Sequence, residues 1–290
     1  MPKKLQQGLL LLITCAVLVP GCFSTQQLVT DKAASLFREV ALSAGRQSDV
    51  VLVRSGTPAY LMLIDGMIQS YPDNPDLLLA GARAYASYAS VLEEDESPRA
   101  AYLYGRGKEY AVRSLGLNPL FKDVMGKPLS TFQERLARAR ASDVPALFWV
   151  GNIWGSWIAV ADSAEAMADL PWVEALIERV LVLDPSYYYG CPHLFKAILL
   201  SARPEQFGGS LQQADEQFKK AIAAGNGKFL MAYVYYAQYY ARKTLNRDLF
   251  ESTLQKVLDT PATSEPDLTL ANTLAQQKAK KLLEQADEFF

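Results

Sequence analysis

His193 is the single histidine of the chain, and Cys191 stands two residues before it. A thiol beside an imidazole is the smallest set that could do nucleophilic chemistry. Two residues apart on a helix face different ways, however, and Pro192 separates this pair. The spacing favours a structural histidine, hydrogen-bonded where two helices meet. A zinc site normally takes several His or Cys ligands. With one histidine and three cysteines, of which Cys15 and Cys22 lie in the first 22 residues, no metal and no cofactor are expected. Phe207-Gly208-Gly209-Ser210 is a glycine turn feeding a helix start. Such starts can hold anions, but tight hairpin geometry accounts for the glycines equally. Glu93-Glu94-Asp95-Glu96 reads as a solvated loop end. No motif groups an acid, a base and a nucleophile, so the chain does not read as an enzyme.

Aromatic residues are the other candidates. Trp149, Ile153 and Trp157 share one helical stripe, and Val150, Trp154 and Ile158 form the next. Two adjacent apolar stripes exceed what a surface helix needs, so this helix is central. It serves either as ordinary core or as one wall of a ligand cavity. Phe229, Tyr233, Tyr236 and Tyr240 make a comparable stripe, with Tyr235 and Tyr239 beside it. Buried tyrosines need partners for their hydroxyls. The same two readings stand there: core with edge-exposed hydroxyls, or a polar-edged pocket or subunit contact.

Cys22 carries a different chemistry. Lys3 and Lys4 make a positive start, and the 13 residues from Gly8 to Pro20 are apolar except for Thr14. A spanning helix needs about 20 residues. Val19-Pro20-Gly21-Cys22 closes the segment with a small residue before the cysteine, and the whole resembles a bacterial lipoprotein signal. The resemblance implies that Cys22 takes up diacylglycerol and becomes the new N-terminus. It further implies a periplasmic body anchored through Cys22 to the outer or inner membrane. Val19 is a weaker match than the usual Leu at its position. The expected layout is a signal over 1–21, a lipidated tether over 22–29 and a helical domain over 30–290.

Removing the signal takes the formal net charge from −2 to −4 and leaves 269 residues. That is ample for a sizeable core. No stretch concentrates Lys and Arg, so no nucleic-acid partner is expected. Contact with a bilayer is expected through the lipid alone. Only Cys191 then remains as a free thiol, and no intramolecular disulfide is possible.

From Thr30 onward the sequence reads as an all-α protein. Ala33, Phe37, Val40 and Ala44 recur at helical spacing after a Thr30-Asp31 cap. Further helices are expected over 58–71, 76–92, 98–117, 128–141, 145–168 and 171–183. Others follow over 192–202, 211–224, 229–244, 247–259 and 266–290. Val50 to Arg54 is the only candidate strand. Tyr71-Pro72-Asp73-Asn74-Pro75, Leu117-Asn118-Pro119 and Leu183-Asp184-Pro185 each end one helix before another begins. Such spacing suggests a tetratricopeptide-like array of helical hairpins, an α-α superhelix with a C-terminal capping helix. Ala214, Phe218 and Ala221 carry its clearest second-helix signature; Leu78, Ala82 and Tyr85 look like a first helix. An irregular helical bundle is the alternative.

Residues 187–221 carry a more specific resemblance. Tyr187-Tyr188-Tyr189-Gly190 leads to His193, and Pro204, Phe207-Gly208-Gly209 and the Ala214/Phe218/Ala221 helix follow. Together with Pro72-Asp73-Asn74-Pro75, Phe148-Trp149 before Trp154, Asp169-Leu170-Pro171 and Phe229-Leu230-Met231, they resemble the T component associated with TRAP transporters. This is the TatT family of periplasmic lipoproteins. Ser210 departs from the acidic residue usual after the glycines, and Cys191-Pro192 is an unusual lead into His193.

The resemblance implies a helical-repeat lipoprotein that partners the substrate-binding subunit of a TRAP transporter. It implies a role in holding or delivering a small ligand, apolar in one reading, during solute uptake. A homo-oligomer stays open. The alternatives are a general scaffold lipoprotein of envelope assembly and, in another class, a cell-envelope hydrolase. Trp149, Trp154, Trp157, Tyr188, Tyr189, His193, Tyr233, Tyr236 and Tyr240 are the expected ligand or partner surface, and Cys22 the lipidation site.

Overall fold

The computed structural model describes the backbone of residues 20–290 and the side chains from Lys32 onward, Ala33 excepted. The expected signal, apart from its last two residues, lies outside this range. Fourteen α-helices follow one another, and no strand occurs among the described residues. The first four are α1 (Pro20–Gly45), α2 (Val50–Ser70), α3 (Pro75–Leu92) and α4 (Ser97–Leu117). Next come α5 (Leu129–Ala137), α6 (Val144–Ala161), α7 (Ala164–Ala168), α8 (Leu170–Leu183) and α9 (Tyr187–Ala202). The last are α10 (Leu211–Ala224), α11 (Leu230–Tyr236), α12 (Arg247–Asp259), α13 (Thr269–Glu284) and α14 (Ala286–Phe289).

Helix starts follow ordinary capping chemistry. Asn74 accepts from the Leu77 N–H at 2.9 Å with Pro75 in the first turn, and Ser210 accepts from the Gln213 N–H. Ser210 thus caps α10 although it stands where an acidic residue is usual.

Several boundaries differ from the sequence reading; the helix expected over 266–290, for one, is a tight turn at Pro266–Leu268 followed by α13 and α14. α1 starts at Pro20 rather than after Thr30, so the backbone over 22–29 is helical. Val50–Arg54 is no strand but the opening of α2, capped by Asp49, which accepts from the Leu52 N–H at 2.9 Å. α2 then runs straight through Pro58. That proline removes one internal hydrogen bond, yet Val53, Leu61, Ile64 and Ile68 bury one continuous face across it. The helix expected over 145–168 is two helices. Asp162 turns left-handed at φ 41°, and Ser163 caps α7 by accepting from the Ala166 N–H.

Packing largely follows chain order: α2 lies on α3, α3 on α4, α4 on α6, α6 on α8 and α9 on α10, while α1 lies on α3 rather than α2. One large core runs from α1 to α9 around Ile64, Leu77, Phe121, Phe148 and Leu176. A second joins α11 to α14 around Leu230, Phe250 and Ala275, and a third joins α9, α10 and α11 around Phe218.

The order closes on itself. α13 caps the array and also touches α1 and α2. Val53, Val91 and Leu270 form a small apolar cluster at that seam. Arg46 reaches Asp267 at 2.7 Å, and Glu94 holds Lys278 at 2.7 Å and Lys281 at 3.3 Å.

By length and composition, residues 141–161 could cross a bilayer. α6 is instead the inner helix, between α4 and α8, with Leu147 and Ile153 fully buried. Gly151 lets α8 come close: a Cβ there would sit 3.0 Å from Ile177.

Candidate functional site

The feature that organises the interior is a break at the start of α9. Tyr188 (φ 45°), Tyr189 (φ 58°) and Gly190 (φ 78°) are left-handed in succession. A non-glycine residue there costs about 1–2 kcal/mol, and two tyrosines carry that strain. Close packing holds them in place. A Cβ on Gly190 would meet the Ala221 carbonyl at 2.7 Å, and one on Gly225 would meet the Tyr189 carbonyl at 2.9 Å. The turn is therefore pressed against the end of α10, and regular helix resumes at Cys191.

This turn sets two tyrosines against α6 and a third beside them. Tyr187 meets Phe148 with ring centroids 5.1 Å apart, and Tyr188 meets Trp149 at 4.8 Å. Tyr189 extends the row from Tyr188 at 5.6 Å. On the other face of Trp149 lies the Arg83 guanidinium, 4.3 Å from the ring centroid. A cation over an indole is the strongest pairing of this type. Burial pushes the Arg83 guanidinium below its usual value, against the opposing influence of Tyr188, Tyr187 and Tyr60; Arg38 adds to the lowering. Burial likewise pushes the Tyr188 and Tyr60 hydroxyls up to about 12.

A second aromatic group continues inward. After α11 the helix widens into a π-turn over Ala237–Ala241, where the Arg242 N–H bonds to the Ala237 carbonyl at 3.0 Å. Such turns recur at functional sites because they re-aim side chains. Here Tyr235 and Tyr239 pair at 5.7 Å. Burial raises the Tyr235 hydroxyl far above its usual value, and Glu93, Tyr239 and Cys191 act on it in the same direction. Tyr104 of α4 donates to Glu93 at 3.0 Å. Tyr188, Tyr235 and Tyr239 are densely surrounded by protein, yet none is closed off from solvent.

The residues singled out from sequence fall into four places. Trp149, Tyr188 and Tyr189 come together as described. Trp154 and Trp157 sit on another face of α6. The Trp154 indole donates to Asp169 at 2.9 Å, and Lys108 bonds the same carboxylate while lying 3.7 Å from the Trp157 ring. That group satisfies itself. Tyr236 packs on Phe218 and donates to Asp215 at 2.6 Å, with Tyr240 stacked on it at 5.2 Å. Tyr233 belongs to the second core, with Lys256 over its ring.

His193 pairs its Nδ1 with the Gln217 amide oxygen at 2.7 Å, joining α9 to α10. Cys191 is buried, and burial alone pushes its thiol far up. The two form no nucleophilic pair. Cys22 lies in the first turn of α1. No group of three or more potential metal ligands occurs among the described residues.

Sequence reasoning passed over Arg83. Its signal was available: it is the only charged residue between Asp76 and Leu92, in a helix otherwise filled with Leu, Ala and Tyr.

The molecule is thus an all-α helical array closed by its own C-terminal helix, with a row of aromatic rings on α6 and α9 and one arginine stacked on Trp149. Residues 46–290 match the family described as TRAP transporter T-component, and the chain belongs to that family. It therefore works in association with a TRAP transporter, and the family is transporter-associated rather than enzymatic. An uncharacterized protein of Treponema pallidum (strain Nichols) is 28% identical over 262 residues. The match covers 84% of this chain and 81% of that protein.

Proposed function

We propose that the protein is a lipid-anchored, tetratricopeptide-like partner of the substrate-binding subunit of a TRAP-type transporter. It sits in the periplasm, held by acyl chains on Cys22, and holds or delivers a small ligand with an apolar body during uptake. The observation that carries this reading is the strained tyrosine turn. Two tyrosines in succession are left-handed, and the first of them, Tyr188, meets Trp149 while staying partly open to solvent. A purely structural turn needs no such strain. Family membership supplies the transport context.

Sedimentation of the mature protein with the purified substrate-binding subunit tests the partnership. A complex whose affinity changes when Trp149 is replaced by Ala is expected. Sedimentation as separate species, with and without extracted membrane lipids present, would sink the reading. The anchor is tested separately. Cys22→Ser should move the protein from the membrane to the soluble fraction with unchanged far-UV circular dichroism, since stable anchoring needs more than one acyl chain. Continued membrane association would remove the lipid from the reading.

A further inference from the structure

The outward face of α2 is apolar and carries no charge. Val51, Leu52, Met62 and Leu63 are 73%, 56%, 70% and 66% exposed. Helical spacing puts them on one face with Ser55, Gly56, Ala59 and Gly66, all exposed. The two charged residues of the helix turn away from that face. Arg54 pairs with Asp95 and Glu96, and Asp65 accepts from the Tyr85 and Tyr110 hydroxyls. Two glycines on the face have no cause within the chain. A glycine inside a helix costs stability relative to alanine. At Gly81, Gly107, Gly151 and Gly155 a Cβ would come within 2.5–3.0 Å of a packed neighbour. At Gly56 and Gly66 it would meet nothing within 4 Å. Bare backbone bordered by exposed Val, Leu and Met is a surface on which another helix can come close.

We propose that two copies of this chain pair through α2, packed antiparallel on its twin and crossing between Gly56 and Ala59. The order of residues is self-complementary, as a two-fold contact requires. Val51 and Leu52 lie as far before the crossing as Leu63 and Met62 lie after it, so each end of the face meets the opposite end of its twin. Ser55, Gly56 and Ala59 allow close approach at the centre, and Gly66 receives the chain that enters the second α2. With no charge on the face, a self-contact brings no like-charge repulsion. At their exposures the four large side chains leave on the order of 400 Å² in water, a patch of functional size. With the small residues between them the face is roughly 600 Å² per copy, or about 1,200 Å² for the pair, the lower end of stable interfaces. A bilayer is the poorer occupant. A helix lying in the lipid interface borders its apolar face with Lys and Arg, and the one such residue on α2 is held by Asp95 and Glu96. The pairing is independent of the ligand and the transport partner proposed above.

The test is sedimentation equilibrium of the mature protein with Cys22→Ser, which keeps every helix and carries no acyl chain. Dimers are expected at tens of micromolar chain. Gly56→Leu should weaken association at least tenfold and leave thermal unfolding unchanged or raised, since the new side chain meets open space within one copy. Leu63→Glu should also give monomers. Val182→Glu, at an equally exposed position of α8, should leave the dimer intact. Under mild oxidation Gly56→Cys should cross-link to its twin. Met62→Cys should not, because antiparallel pairing sets the two copies of residue 62 about 15 Å apart along the axis. A monomeric wild type, an assembly of three copies, or dimers that survive both Gly56→Leu and Leu63→Glu overturn the proposal. So does cross-linking through Met62→Cys with none through Gly56→Cys. A monomer that sediments with phosphatidylcholine vesicles, and no longer does so in Leu63→Glu, assigns the face to the bilayer and overturns it too.

Discussion

At the scale of single residues, the interior chemistry is decided by desolvation. Cys191 is the clearest case: burial alone raises its thiol, with no cation nearby to favour the thiolate. The thiolate is the reactive form. We therefore expect a disulfide exchange reagent to leave Cys191 untouched in the native protein and to label it fully in denaturant. Rapid native labelling at pH 8 would show that the site opens. The tyrosines make a pH prediction. Burial pushes Tyr60, Tyr110 and Tyr188 up to about 12, and Tyr110 also donates to Asp65 at 2.8 Å. Their hydroxyls ionise near 10 once unfolded. A folded value above the unfolded one gives stability that is complete below pH 10 and lost as pH rises toward 12. Urea midpoints should hold steady from pH 7 to 9.5 and fall above pH 10, with tyrosinate absorbance lagging in the native protein. A midpoint that does not decline by pH 11.5 would contradict the burial of these hydroxyls.

At the scale of elements, the third core offers a direct test of helix register. Phe218 is fully buried between Ala214 and Ala221, and its ring meets Tyr236 at 5.4 Å. Phe218→Ala should cost about 3–5 kcal/mol, the usual effect of emptying a phenylalanine site. A loss below about 1 kcal/mol in chemical denaturation is incompatible with that packing. The tyrosine turn gives a second test. Gly190→Ala adds a methyl group where the Ala221 carbonyl stands at 2.7 Å, in a backbone conformation that disfavours any side chain. The variant should lose stability and change near-ultraviolet circular dichroism by shifting Tyr188 off Trp149. Gly208→Ala, also left-handed but open to solvent, should change stability alone and by about 1 kcal/mol. Identical spectra for Gly190→Ala and the wild type would separate the turn from the aromatic row.

At the scale of the whole molecule, closure of the array is the property to test. α13 covers Phe250 and Leu254 on one side and meets α1 and α2 on the other. The Glu94 carboxyl is pushed up by burial but more strongly down by its bonds to Lys278 and Lys281, which leaves it below its usual value. Half-exposed pairs of this kind contribute little, typically below about 1 kcal/mol. Glu94→Gln should therefore lower stability slightly and in a salt-dependent way. Hydrogen exchange should rise together in α2 and α13, the two sides of the seam. Faster exchange confined to α13 would mean that the contact is incidental and the array is open.

Much of this architecture could be read from the chain. Proline, asparagine and glycine stops divide it into helices, and Ala214, Phe218 and Ala221 are each buried as their spacing requires. Those features are local, because capping and helical periodicity act within a turn or two. Pro58 misled for the same reason. Its local effect is helix-breaking, but a continuous buried face overrides it. The grouping of aromatic residues was beyond local reasoning. Trp149, Trp154 and Trp157 share one helix yet serve separate neighbourhoods, because α4, α8 and α9 approach α6 from different sides. Nothing in the order of residues places Arg83 on Trp149 or Glu94 on Lys278, which are 66 and 184 positions apart. The sequence by itself determined the helices and their buried faces. Only the tertiary structure decided which rings meet around one arginine, because long-range packing selects among many apolar surfaces of equal hydrophobicity.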